Sequence, residues 1–75
     1  MKINDLKVFK GFIKVNYYDW YPISSIKCIS LHNQYNTLET DIIFNDGTEL
    51  TVYGSIIHVI KEIDKAKKES SYDTD

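Results

Sequence analysis

The sequence predicts an α+β domain: a small antiparallel sheet of about four strands, with one C-terminal helix over residues 55–67 or so packed on one face. Three observations predict it. Residues 37–53 alternate apolar and polar side chains on both sides of Asn45-Asp46-Gly47, which is the pattern of a hairpin. Ile56, Val59, Ile60 and Ile63 then recur at i, i+3, i+4 and i+7, which is one stripe of a helix. Between them, Gly54 and Ser55 supply a sharp bend and a helix N-cap.

In chain order, residues 1–7 are polar and short, and read as a frayed start or brief turn. Residues 8–17 alternate as a strand with Phe9, Ile13, Val15 and Tyr17 on one face, and Gly11 marks a bulge. Tyr17-Tyr-Asp-Trp-Tyr-Pro22 follows, with four aromatics in six residues ahead of a proline that has to lie off any central ladder. Ile23-Ser-Ser-Ile26 reads as one tight helical turn into a strand at 26–32. That strand places Ile26 and Cys28 on one face and Ile29 and Leu31 on the other, so it reads as internal or partnered on its second face. Cys28 reads as a small buried core residue. His32 to Asn36 form a polar loop.

The loop at 45–47 sets the hairpin register. A two-residue loop at Asp46-Gly47 pairs Ile42 with Thr51 and scatters the apolar residues. A three-residue loop with left-handed Gly47 pairs Phe44 with Thr48, Ile42 with Leu50 and Thr40 with Val52, and it keeps Ile42, Phe44, Leu50 and Val52 on one face. The three-residue loop is therefore the expectation. Glu39, Asp41, Ile43, Glu49, Thr51 and Tyr53 then share a polar, wet face. On the helix, His58, Lys61, Glu62, Asp64, Lys65 and Lys68 oppose the apolar stripe, with Ile57 at its edge. Residues 69–75 read as a flexible acidic tail after a single domain at 1–68.

Seventy-five residues make one domain with a marginal core, since a chain this small buries only about 60% of its unfolded surface. Cys28 is the only cysteine, which fits a reducing compartment. No apolar run approaches the roughly 20 residues of a membrane span, and Met1-Lys-Ile-Asn-Asp lacks a signal-peptide core, so the expectation is a soluble cytoplasmic protein. Residues 1–27 carry five lysines against two aspartates, a balance of +3, whereas Glu39, Asp41, Asp46 and Glu49 put −4 on the hairpin. All nine basic residues are lysine. Without arginine, bidentate reading of guanine edges loses its usual instrument, and direct nucleic-acid recognition is disfavoured.

The strings Phe12-Ile-Lys-Val15, Ile23-Ser-Ser-Ile26, Thr40 to Val52 and Ser55 to Ile63 together resemble small flagellar and swarming-motility proteins of the FlbD/SwrD type, over about two thirds of the chain. That family also places an Asp-Gly or Asn-Gly hairpin before a Ser-led helix with a Val-Ile pair. More loosely, the same strings are similar to the sheet-plus-helix part of LytTR DNA-binding domains. The first resemblance implies a motility accessory role and the second implies DNA contacts through Lys61, Lys65, Lys67 and Lys68 together with the N-terminal lysines. Neither carries over a catalytic residue.

No enzyme is expected. The carboxylates Glu39, Asp41, Glu49, Glu62 and Asp64 read as solvated, with no partner to shift their pKa, and no motif fixes a base beside Cys28. His32 and His58 form no metal-spaced cluster with Cys28, so neither a metal nor another cofactor is expected. The leading expectation is a non-enzymatic protein-binding module, an inhibitor or regulator of the phage or mobile-element accessory type, which covers a partner's surface. Two sets of residues are the candidates. Tyr17, Tyr18, Trp20 and Tyr21 supply aromatic anchors. Glu39, Asp41 and Glu49, with Tyr53 beside them, supply an acidic face suited to a basic, nucleic-acid-binding groove. The alternatives are a LytTR-like regulator, a motility accessory protein, and a homodimer joined through Ile29, Leu31 and the aromatic loop.

Overall fold

The computed structural model describes the backbone of residues 2–72 and the side chains of residues 2–68. The chain is α+β, with two sheets and one C-terminal helix. In order, the elements are β1 (Lys2–Ile3), β2 (Val8–Phe9), β3 (Phe12–Lys14), β4 (Trp20–Pro22), a 3-10 turn (Ile23–Ser25), β5 (Ile26–Asn33), β6 (Asn36–Phe44), β7 (Glu49–Tyr53) and α1 (Ile56–Tyr72). The first sheet has the order β1-β7-β6-β5, and the second has the order β2-β3-β4.

The central hairpin takes the expected register. Ile42 pairs with Leu50 and Thr40 with Val52, while the Phe44 amide donates to the Thr48 carbonyl at 2.9 Å. Gly47 closes the three-residue loop at φ +90°, a conformation that side chains resist, and its amide donates to the Phe44 carbonyl at 2.9 Å. Asp46 fastens the turn by accepting from the Thr48 amide at 2.9 Å. Ile42, Phe44, Leu50 and Val52 are all buried on the inner face.

Gly54, at φ +156°, swings the chain from β7 into the helix. Thr40, fully buried on β6, donates from Oγ1 to the Gly54 carbonyl at 2.8 Å and so anchors the bend to the sheet. Ser55 caps α1: its Oγ accepts from the His58 amide at 3.3 Å and its carbonyl from Val59 at 3.0 Å. Val59, Ile63 and Ala66 carry the buried stripe. Ile60, expected within it, sits at the rim and is 44% exposed, because at 100° per residue it lies about 100° round from Val59 and about 120° from Ala66. The helix also runs to Tyr72 rather than ending near 67. Of the tail expected at 69–75, residues 69–72 continue the helical backbone and 73–75 lie outside the described residues.

The N-terminal third departs most from the sequence expectation. Residues 8–17 are not one strand. Lys10 (φ +47°) and Gly11 (φ +83°) form a two-residue turn of the kind that joins twisted hairpin strands, so Phe9 pairs with Phe12 and Val8 with Ile13. Gly11 is therefore a turn residue and not a bulge. Val8, Ile13 and Tyr21 face the core, while Phe9, Phe12, Lys14, Trp20 and Pro22 face outward. Residues 2–3 are also ordered into the fold: β1 adds parallel to β7, with Ile3 opposite Val52, and Ile3 and Leu6 pack on the core.

Strand β5 corrects a second expectation. A register shift between Ile26 and Cys28 at its pairing with β6 turns the faces over. Ile26 and Ile29 consequently both contribute to the core, and Cys28 is exposed on the outer face instead of buried. With order β1-β7-β6-β5, this strand is the sheet edge and not an internal strand.

Candidate functional site

The two candidate sets fare differently. On the outer face of the four-stranded sheet the carboxylates are engaged with neighbouring side chains. Lys2, brought in by β1, donates from Nζ to Glu39 Oε1 at 2.7 Å, and His32 Nε2 lies 3.9 Å from Oε2. Glu39 is only 9% exposed. Asp41 accepts from Thr51 Oγ1 at 2.7 Å, and its two oxygens lie 3.0 and 3.2 Å from His32 Nδ1. The expected wet acidic patch is thus largely spent within the protein, because a lysine 37 residues away in sequence and a histidine on β5 converge on it. Glu49 and Tyr53 are exposed on the same face, but Glu39 and Asp41 offer little free charge between them.

The hydrogen bond from Lys2 holds the Glu39 carboxyl below its ordinary 4.5, with the nearby charges of Lys2 and His32 adding to the effect. A carboxylate whose pKa is depressed by folding lends stability that is complete above the unfolded value and is lost as pH falls through the folded one. Acidification below about pH 4.5 should therefore weaken the wild-type fold. Glu39→Gln should flatten that part of the profile, as read from urea midpoints between pH 6 and 3, where roughly that window spans the titration. Equal slopes in the two proteins would show that the Lys2 contact has no weight.

The aromatic set assembles into a surface. The β3–β4 loop is built by Asn16, whose Oδ1 accepts from the amides of Tyr18 and Asp19, both at 2.8 Å, and whose Nδ2 donates to Asp19 Oδ2 at 2.8 Å. This turn pushes Tyr17 and Tyr18 out at its tip, 81% and 89% exposed. Trp20 stands on β4 directly across from Lys14. The Lys14 ammonium lies 5.6 Å from the Tyr17 ring centre and 5.9 Å from that of Trp20, within reach of a cation–π attraction to both. Lys10 lies 5.8 Å from the Phe9 ring. Phe9, Phe12 and Trp20 thus share one side of a three-stranded sheet, flanked by two lysines, with the tyrosine pair overhanging.

Tyr21 is the exception among the four expected anchors. Its ring meets Phe44 edge-on at 4.9 Å, and its hydroxyl donates to Asp46 Oδ2 at 2.8 Å and lies 3.1 Å from Thr48 Oγ1. These contacts, with the Thr48 amide foremost, hold the Asp46 carboxyl below its ordinary value. Tyr21 thus ties the two sheets together. Sequence reading missed Phe9, Phe12, Lys10 and Lys14 as members of the surface. The signal was present in Lys10-Gly11: taken as a two-residue turn, it sets Phe9 opposite Phe12 and starts a new outward face.

Among the described residues, no group of three or more His, Cys, Asp or Glu side chains is placed to hold a metal ion, and no helix is long and apolar enough to cross a membrane. Comparison of the chain with protein-family models, with curated proteins and with solved structures returns no match.

Proposed function

We propose that this chain is a small non-enzymatic protein-binding module, an inhibitor or regulator that acts by covering a partner protein's surface with the aromatic face of its three-stranded sheet. One observation carries the reading: Phe9, Phe12 and Trp20, with Tyr17 and Tyr18, are exposed together on one side of 75 residues, although the same chain buries Phe44 fully. A large exposed aromatic patch on a small protein marks an interaction surface, and Trp and Tyr are the residues that dominate interface energies. Lys10 and Lys14 at this face favour a partner surface that is apolar at its centre and acidic at its rim. With Glu39 and Asp41 already engaged, a docking mode on a basic groove has less to support it.

The test is capture of partners with immobilised wild-type protein and with the double charge reversal Lys10→Glu/Lys14→Glu. A protein recovered by the wild type should be lost from the variant and should crosslink through amine reagents to Lys10 or Lys14. Capture unaffected by the reversal would defeat the reading, as would a face that takes up a single-stranded oligonucleotide and no protein.

A further inference from the structure

The longest open backbone edge among the described residues is that of β5. Its sheet has β1 at the other margin, which is two residues long and has its lysine committed to Glu39. The three-stranded sheet is bounded by strands of two and three residues. By contrast, β5 runs for eight residues with β6 on one side only. Register shifts near Lys27 and His32 break its two ends, and both shifts and charges are devices that discourage edge pairing. The regular segment between them, Cys28-Ile29-Ser30-Leu31, carries no charge. Its inward side is apolar and incompletely covered: Leu31 is 41% exposed, and Ile29 lines a groove with Ile60 and Ile63 of α1.

We propose that this edge joins a second copy of the chain, with β5 pairing antiparallel to β5 about a two-fold axis through Ser30 to make a continuous eight-stranded sheet. A two-fold axis normal to the sheet keeps inner faces together, so opposed residues share parity and the axis falls on a residue. Four positions can be tried. An axis at Cys28 sets Ile29 against Lys27 of the second copy. At Ile29 it sets Leu31 against Lys27, and at Leu31 it sets Ile29 against Asn33. Only at Ser30 does Ile29 of each copy meet Leu31 of the other, giving two aliphatic cross-strand pairs over the two grooves.

The same register sets Lys27 opposite Asn33 and leaves the two Lys27 residues six positions apart. At 3.3 Å per residue that is roughly 20 Å, beyond the ~8 Å screening length at physiological salt. The groove wall contributes no single-sign field, since Lys61, Asp64 and Lys67 alternate along it. The strand is thus its own complement in apolar pairing, and this register keeps its one lysine away from the lysine of the second copy. It is this match, which a foreign strand would have to reproduce, that selects a second copy as the occupant.

An edge this short places the dimer among small interfaces, which associate weakly or transiently. Sedimentation velocity between about 5 and 500 μM should show a rise in mass with concentration. Leu31→Lys, at an exposed position that leaves the circular dichroism spectrum intact, should stay monomeric or weaken association at least 10-fold, whereas Trp20→Ala should leave it unchanged. In the double variant Cys28→Ser/Ser30→Cys a short bis-maleimide should trap a covalent dimer. A monomer throughout, association that survives Leu31→Lys, or association lost with Trp20→Ala would overturn the proposal. Association sensitive to Leu31→Lys without the Ser30→Cys crosslink would overturn the register.

Discussion

Phe44→Ala is expected to lower stability by about 3–5 kcal/mol, the usual cost of emptying a fully buried phenylalanine site. A domain of this length holds roughly 4–11 kcal/mol in all, so the variant should be near the edge of folding at 25 °C. The position explains the size of the effect. Phe44 ends β6 at the three-residue loop, lies on the inner face with Ile42 and Leu50, and takes the edge of Tyr21 at 4.9 Å. Removing the ring therefore opens a cavity between the large sheet and the small one. Tyr21 keeps its hydroxyl bond to Asp46 but loses the surface on which its own ring rests, an aromatic contact worth about 1 kcal/mol beyond burial. Thermal melts should show a drop of at least about 12 °C, taking about 4 °C per kcal/mol for a chain of this size. A drop equivalent to under about 1 kcal/mol would mean that the neighbouring side chains collapse into the gap and that the two sheets do not meet on this ring.

The parts of the fold legible in the sequence are those set by neighbours in the chain. Apolar alternation around Gly47 fixed the hairpin register, and Gly54-Ser55 fixed where the helix starts, because turn chemistry and periodicity act within a few residues. The misread parts each depend on something further away or on one ambiguous residue. Lys10-Gly11 fits inside an extended run as well as it fits a turn, and only the tertiary burial of Val8 and Ile13 on one side decides between them. The extra residue at Lys27 in β5 has no composition signal, yet it exchanges Cys28 for Ile29 at the core. Glu39 looked solvated because nothing near it in sequence is basic. Its partner is Lys2, delivered by a parallel strand whose two residues read as a polar terminus. For the candidate surface, the aromatic cluster was evident in composition, but its division was not. Tyr21 and Trp20 are adjacent in a strand and must point to opposite faces, so one secures the core and the other is presented to solvent.

That opposition makes Trp20→Ala the sharpest probe of binding. Trp20 is 43% exposed on the outward side of β4, so its removal leaves the core intact and should cost the isolated protein little. Among the exposed rings it is the one best prepared to anchor a partner. Tyr17 and Tyr18 sit at a loop tip and are more than four-fifths exposed, so each surrenders side-chain freedom on binding. Trp20 is held by strand pairing to β3 and has the Lys14 ammonium beside its ring, so less ordering remains to be done. Loss of such an anchor at the centre of an interface costs about 2 kcal/mol or more, which is about 30-fold in the dissociation constant. Calorimetric titration of the captured partner should show that loss for Trp20→Ala and no change for Tyr35→Ala, which removes a still more exposed ring, at the tip of the β5–β6 hairpin. Equal affinities for the wild type and Trp20→Ala would place the contact elsewhere on the molecule, and the aromatic face would lose its role.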